Sequence, residues 1–230
     1  MKLLFENWKK FLTEDLGENE ATYPFKIFCD MDGVLVDLLG GLEKELRRKK
    51  FMIQTKGEGE RTKQEKALMS ILTAAKSWDD LKKDPSTTSG QRQVLEAIED
   101  ILGESEQFWS NLEPMEDAMK LWGFISRYNP IILSHPWDKE SKTGKENWCN
   151  AKLNPAASMV LLPMDGNKEQ YARNKETGSP NILIDDMDGY LSKWSAQEGI
   201  AIKHTSAEST IVQLKQIMKE HKGPGQEAVE

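Results

Sequence analysis

The sequence contains few of the features that mark secreted, membrane-spanning or nucleic-acid-coating proteins. Only two of its 230 residues are cysteines, Cys29 and Cys149, which excludes a disulfide-rich secreted scaffold and favours a reducing, cytoplasmic environment. No segment approaches the roughly 20 consecutive apolar residues of a membrane-spanning helix, so no membrane span is predicted. The net charge of −7 argues against a protein coated with nucleic acid, although one local basic face stays open.

Apolar runs that are bounded by proline, asparagine, glycine or acidic residues predict a buried sheet. Three such runs are predicted strands and two more are candidates: 25–30, 129–134 and 180–186, then 158–163 and 199–204. Near-continuous apolar strands are typical of a parallel sheet that helices cover on both faces. Helical patterns separate the strands, over 113–128, 145–153, 188–199 and 206–221. This alternation predicts an α/β fold with a Rossmann-like, doubly wound parallel sheet.

Segment 38–112 interrupts the alternation because it is mainly helical and polar. It contains predicted helices that begin at Leu38 and that cover 63–83 and 91–103. That is too much chain for one crossover connection, so we expect an inserted helical cap subdomain. The rest of the chain is predicted to form three parts. These are an N-terminal amphipathic helix over 1–20, a core made of 21–37 and 113–222, and a flexible tail over 223–230.

Two of these segments keep alternative interpretations. The N-terminal helix is expected to dock on the domain, and an anchor for a partner or for a membrane surface is the alternative. Lysine and arginine are dense from Lys44 to Lys83. This density indicates either a solvated helix face or a basic cap surface that meets an anionic substrate.

Polar residues follow three of the predicted strands at the point where each strand ends. These residues are Asp30-Met31-Asp32-Gly33, Ser134-His135 and Asp185-Asp186. Because ligand sites in open α/β sheets lie beyond the carboxyl ends of the strands, we expect the three groups to converge. Clustered carboxylates need a counter-charge, and Mg²⁺, which prefers oxygen ligands, is the expected cation.

The spacing of the first two acids suggests a division of work. Residues i and i+2 of an extended chain point to the same face, so Asp30 and Asp32 are predicted to lie side by side. One of them could attack a phosphorus atom while the other transfers a proton, since aspartyl-phosphate formation is established enzyme chemistry. Gly33 frees the chain to turn directly afterwards. Asp37 is more simply interpreted as a turn residue or a helix cap.

Together these motifs resemble those of the haloacid dehalogenase-like phosphohydrolase superfamily. The first motif of that superfamily matches DMDGVLVD over 30–37. Its strand-terminal serine or threonine matches Ser134 in IILS, and its acidic pair matches the end of ILIDD. The stretches QFWSNLEP over 107–114 and KENW over 145–148 make the 5'(3')-deoxyribonucleotidase family, including its phage-encoded members, the more specific resemblance.

The resemblance implies a phosphatase mechanism that is carried by the four acids. Asp30 would be the nucleophile, and Asp32 would be the general acid and base. Mg²⁺ would bind Asp30, the backbone carbonyl of Asp32 and one of the pair Asp185 and Asp186. The usual arrangement in the family favours Asp186.

The resemblance also implies contacts to the substrate. Ser134, Lys145 and Lys168 would bind the phosphate, with Lys175 as a nearby alternative to Lys168 and a solvated helix lysine as the alternative for Lys145. His135 stands where the family often has a second hydroxyl side chain, and it would either contact the phosphate or pack. Two aromatic residues would help to wall the nucleoside site or, alternatively, pack the cap on the core: Phe108 and Trp109.

The implied substrate is a small phosphomonoester, and a deoxynucleoside monophosphate is the first choice. A sugar phosphate or a nucleic-acid 3'-phosphate end is an alternative substrate, and a non-catalytic binding module is an alternative function. The expected location is the cytoplasm, which would be the host cytoplasm for a phage-encoded member. The oligomeric state is open, with a homodimer as one alternative.

Overall fold

The computed structural model describes residues 23–57, 59–63, 65–66, 106–153 and 157–221. The predicted helices over 1–20 and 91–103, nearly all of the one over 63–83, and the tail lie outside these residues. Among the described residues, no helix is both long enough and apolar enough to cross a lipid bilayer.

A five-stranded parallel sheet forms the centre of the described structure. Its strands in chain order are β1 (Ile27–Cys29), β2 (Ile131–Ser134), β3 (Ser158–Leu161), β4 (Ile182–Asp185) and β5 (Ile200–Lys203). Their order across the sheet is β3-β2-β1-β4-β5, and all neighbours are parallel. Each strand lies inside its predicted range, which confirms the predicted doubly wound α/β fold.

In the described ranges, six α-helices and two 3₁₀ turns accompany the sheet. The helices are α1 (Leu38–Thr55), α2 (Glu106–Ser110), α3 (Ala118–Ile125), α4 (Lys139–Lys152), α5 (Asp188–Ala196) and α6 (Ala207–Glu220). The 3₁₀ turns cover Ser126–Tyr128 and Lys168–Tyr171. α1 begins at Leu38, as predicted, and it buries Leu42, Leu46 and Ile53.

Helices cover both faces of the sheet. Side chains of one strand alternate between the faces, so each strand contributes to the apolar packing on both sides. Ile27 and Cys29 of β1 pack into one apolar cluster, and Phe28 between them packs into a second. Trp148 of α4 lies in the first cluster, and Trp194 of α5 lies in the second. This double burial explains why the strands are apolar at consecutive positions.

Two helices begin at positions that differ from the prediction. α3 begins at Ala118 rather than at 113, because the preceding residues pair with the chain that follows β1. The amide of Met115 donates to the carbonyl of Leu35 at 3.0 Å, and Pro114 bridges Val36. α4 begins at Lys139 rather than at 145, because Asp138 and Ser141 form a capping box there.

Side chains cap the first turns of α1 and α6. The carboxylate of Asp37 accepts a hydrogen bond from the amide of Gly40 at 2.8 Å and begins α1. The hydroxyl of Ser206 accepts one from the amide of Ser209 at 3.2 Å and begins α6. Asp37 is therefore a structural residue, which agrees with its simpler interpretation from the sequence.

Candidate active site

The candidate site lies where β1, β2 and β4 end, at the same edge of the sheet. β1 is the central strand and pairs with β2 on one side and with β4 on the other. The amide of Asp30 continues the ladder by donating to the carbonyl of Ile184 at 2.9 Å. The strand order changes direction at β1, and ligand sites of open α/β sheets lie at such a switch point.

Lys168 joins the acids that follow β1 to those that follow β4. Its ammonium nitrogen lies 2.8 Å from Oδ1 of Asp30 and 2.8 Å from Oδ2 of Asp185. The lysine is only 1% exposed, and its ammonium also lies 4.4 Å from the ring centroid of Tyr190. Burial alone would lower the pKa of Lys168, but the two carboxylates outweigh burial and raise it above its usual range. The lysine is therefore charged at neutral pH, whereas the alternative Lys175 is exposed.

Three carboxylates crowd together beside Lys168. Oxygen atoms of Asp30, Asp185 and Asp186 lie within 4.8 Å of one another. Burial, followed by the charge of Asp30, raises the pKa of Asp185 to about 6, although Lys168 opposes the shift. The same two causes raise the pKa of Asp186. One lysine thus leaves excess negative charge in this cluster.

The two residues of the acidic pair differ in their contacts. Asp185 is fully buried, and both of its carboxylate oxygens accept hydrogen bonds, one from Lys168 and one from the amide of Met187. Asp186 is half-buried, and its carboxylate lies against Gly33. A Cβ atom at position 33 would come 2.5 Å from Oδ2 of Asp186, so any other residue at this position would displace the carboxylate.

Asp32 lies beside a second buried lysine. The ammonium of Lys145, which is fully buried, lies 2.5 Å from Oδ2 of Asp32 and 3.4 Å from the hydroxyl of Ser134. Oδ1 of Asp32 is buried and has no hydrogen-bond partner. Burial raises the pKa of Asp32, Lys145 lowers it, and the charge of Asp30 raises it further, with a net upward shift. Asp30 and Asp32 therefore contact different lysines.

The remaining residues proposed from the sequence lie at the edges of this arrangement. His135 stacks on Tyr190 at 5.3 Å between ring centroids, and its Nε2 lies 2.9 Å from the carbonyl oxygen of Gly166. Phe108 lines a cavity of about 530 Å³ between α1 and α2. Trp109 is 3% exposed, and its ring contacts the ammonium of Lys145.

The structure brings together Asp30, Asp32, Ser134, Lys145, Lys168 and the acidic pair. Sequence reasoning missed Tyr190, whose ring contacts both Lys168 and His135. The available signal was its place in the first turn of α5, a few residues after the acidic pair. A helix that starts directly after a strand-terminal acid carries its first turn close to the site.

Comparisons with known proteins give structural neighbours alone. No family model and no curated protein matches the sequence. A hydrolase from Streptococcus pneumoniae TIGR4 is similar over 86% of this chain and 98% of that chain, with 15% identity and a TM-score of 0.49. A haloacid dehalogenase-like family hydrolase from Xanthomonas campestris is similar over 90% of this chain and 97% of that chain, with 9% identity and a TM-score of 0.48.

A third neighbour is a haloacid dehalogenase superfamily hydrolase of subfamily IA, variant 1, from Geobacter sulfurreducens PCA. The similarity covers 83% of this chain and 91% of that chain, with 12% identity and a TM-score of 0.46. Unrelated activities share one fold, so the activity of this chain depends on the side chains of its own site.

Proposed function

We propose that this protein is a Mg²⁺-dependent phosphatase that hydrolyses (deoxy)nucleoside monophosphates through an aspartyl-phosphate intermediate. The observation that carries the proposal is the separation of the two acids that follow β1. Asp30 lies with Lys168 and the acidic pair, whereas Asp32 lies with Lys145 and keeps one oxygen without a partner. Two neighbouring carboxylates in different environments are suited to different roles.

The carboxylate cluster fits a hard divalent cation. Asp30 and the acidic pair supply the oxygen ligands that Mg²⁺ prefers, and Lys168 alone does not balance their charge. We assign the metal to Asp30, the backbone carbonyl of Asp32 and Asp186. Asp186 is preferred to Asp185 because both carboxylate oxygens of Asp185 already accept hydrogen bonds. When bound, Mg²⁺ would neutralise charge on the phosphoryl oxygens.

The first chemical step would transfer the phosphoryl group to the protein. A carboxylate oxygen of Asp30 forms a bond to phosphorus, and the bond from phosphorus to the ester oxygen breaks. Asp32 donates a proton to the departing alkoxide, and its upward-shifted pKa supports a protonated form that can do so. Ser134 and Lys168 would hold the phosphoryl oxygens during the transfer.

The second step would release phosphate. Asp32, now a carboxylate, takes a proton from a water molecule whose oxygen attacks phosphorus. The bond between phosphorus and Asp30 breaks, which restores the free carboxylate and yields inorganic phosphate. Lys145 favours the ionised form of Asp32 in this step, because its ammonium contacts Oδ2.

The choice of a nucleotide is supported by the motif resemblance and by Phe108, whose ring lines the cavity between α1 and α2. Aromatic faces stack on nucleobases. A nucleic-acid 3'-phosphate end is a second candidate, because Lys44, Arg48 and Lys49 line the same cavity. Basic side chains at that position would suit a longer anionic chain.

A phosphate-release screen tests the proposal. It would compare deoxynucleoside and ribonucleoside monophosphates, sugar phosphates and 3'-phosphorylated oligonucleotides, each with Mg²⁺ and with EDTA. We expect Mg²⁺-dependent release from deoxynucleoside monophosphates and loss of release in Asp30→Asn. Retained turnover by Asp30→Asn would reject the mechanism, and a preference for oligonucleotide ends would replace the substrate.

A further inference from the structure

Trp109 contacts Lys145, and Lys145 contacts Asp32, the candidate acid. Its ring centroid lies 4.6 Å from the ammonium nitrogen of Lys145, and that nitrogen lies 2.5 Å from Oδ2 of Asp32. Trp109 and Lys145 are both buried. A lysine ammonium over an indole face is attracted by the ring, and the attraction is larger where water is excluded. The ring therefore restricts where this ammonium can lie.

The position of the ring is fixed by contacts between α2 and α4. Gly144, which precedes Lys145, lies against α2 so closely that an added Cβ would come 2.4 Å from the Cβ of Trp109. The same Cβ would come 2.7 Å from the backbone oxygen of Glu106. The amide side chain of Asn147 also donates to the Glu106 carboxylate at 2.7 Å. Trp109 thus has a defined place over the helix that carries Lys145.

The alternative role of Trp109, as a stacking surface for a nucleobase, conflicts with its surroundings. The ring has only 3% of its surface exposed, and one face holds Lys145. Phe108 on the same helix is the aromatic residue that lines the cavity. The two neighbouring aromatics therefore differ in what they can contact.

We propose that Trp109 is a positioning residue, which holds Lys145 against Oδ2 of Asp32 and so fixes the orientation of the Asp32 carboxylate for proton transfer to the leaving group. This inference rests on the proposed role of Asp32 as the acid of the first step. By this inference α2, at the end of the expected cap insert, affects proton transfer because it carries Trp109. Trp109 itself does not touch the substrate.

The test compares two substrates that lack a base and differ in their need for an acid. An alkyl phosphate has a leaving group that must be protonated, whereas p-nitrophenyl phosphate has one that leaves without much help. We expect Trp109→Leu to lower kcat/KM for the alkyl phosphate by about 10- to 100-fold, the range of a misplaced acid. The loss for the aryl phosphate should be less than about threefold, and Trp109→Phe should restore most of the alkyl activity.

Two further variants separate positioning from general destabilisation. Gly144→Ala keeps the indole but displaces α2, so it should give the same selective loss. Trp122→Leu removes a buried tryptophan of α3 whose Nε1 has no hydrogen-bond partner, so it should lower Tm without changing the alkyl-to-aryl ratio. An equal loss of kcat/KM on both substrates in Trp109→Leu would overturn the inference. So would a loss that is seen with deoxynucleoside monophosphates but with neither of these two substrates.

A measurement without turnover distinguishes failure of this inference from failure of the proposed function. In protein labelled with [ε-¹³C]lysine, the Lys145 signal is assigned by its absence from Lys145→Arg. We expect ring-current displacement of its methylene protons, retained in Trp109→Phe and lost in Trp109→Leu. An undisplaced signal rejects the positioning role whatever the activity. Absence of hydrolysis by the wild type, with the displacement present, rejects the phosphatase while the contact between Trp109 and Lys145 stands.

Discussion

Lys168 offers a direct test of the electrostatics of the site, because one buried ammonium contacts two carboxylates. Replacing it by methionine keeps most of the side-chain volume and removes the charge. Asp30 and Asp185 are then left buried without the cation that now lies 2.8 Å from each. Removing one partner of a buried ion pair costs about 3–5 kcal/mol. We expect Lys168→Met to lower the free energy of unfolding by about this amount in the absence of a divalent cation.

The assay is urea unfolding followed by tryptophan fluorescence, with and without Mg²⁺. Lys175→Met is the matched control, because Lys175 is nearby in sequence and exposed, and it should change stability by less than about 0.5 kcal/mol. At a Mg²⁺ concentration of a hundred times the wild-type Kd, the wild type should gain about 2.7 kcal/mol of unfolding free energy. At the same concentration the gain should be larger in Lys168→Met, because the variant has more uncompensated negative charge and binds Mg²⁺ more tightly.

Two results would refute this reasoning. Equal stability losses in Lys168→Met and Lys175→Met would mean that Lys168 does not neutralise the cluster. An equal Mg²⁺ gain in Lys168→Met and wild type would mean that the metal and the lysine do not share the same carboxylates.

Three further predictions concern the metal site and the core. Burial and the charge of Asp30 raise the pKa of Asp185 to about 6, so below that pH Asp185 takes up a proton and the cluster beside the metal ligands loses negative charge. Calorimetry should therefore show weaker Mg²⁺ binding at pH 5.5 than at pH 7.5, and equal affinities would show that Asp185 does not contribute to the charge that attracts the metal. Gly33→Ala should lower the free energy of unfolding by about 1–2 kcal/mol, because φ is positive there, and should weaken Mg²⁺ binding, because the added Cβ meets the Asp186 carboxylate. Gly178→Ala is the control: φ is similar but the space around it is open, so it should lower the free energy of unfolding without affecting Mg²⁺ binding. Burial raises the pKa of the thiols of Cys29 and Cys149, that of Cys149 to about 12. A disulfide reagent at pH 8 should therefore react quickly only after unfolding, and fast modification of the native protein would show that the thiols are accessible.

The strand-terminal acids could be predicted from the sequence because two separate signals coincide. Asp30 and Asp185 each end a short apolar run, and strands of that kind are buried on both faces. In a parallel sheet the carboxyl ends of all strands lie at one edge, so strand direction alone places both acids at that edge. Whether two of these ends are neighbours depends on the strand order, and the structure supplies it by placing β4 beside β1.

The contacts of the two lysines could not be predicted in the same way. Lys145 and Lys168 lie in polar stretches that resemble solvated surface segments, and both are almost completely buried in the structure. Their burial depends on how α4 and a 3₁₀ turn pack over the strand ends. For Trp109 the sequence leaves two roles open, a wall of the nucleoside site or packing of the cap on the core, and in the structure its ring packs on Lys145.

The separation of the two lysines resolves a difficulty that the sequence raises. Asp30 and Asp32 repel each other, and one shared cation would hold both of them ionised and in similar environments. With Lys168 drawn towards the acidic pair and Lys145 held on α4, each acid has its own partner. In the proposed mechanism Asp30 then remains a nucleophile within the carboxylate cluster, while Asp32 exchanges a proton beside a different lysine from the one that Asp30 and Asp185 contact. The chemistry proposed for this site needs that independence, because one acid must stay unprotonated while the other gains and loses a proton in every turnover.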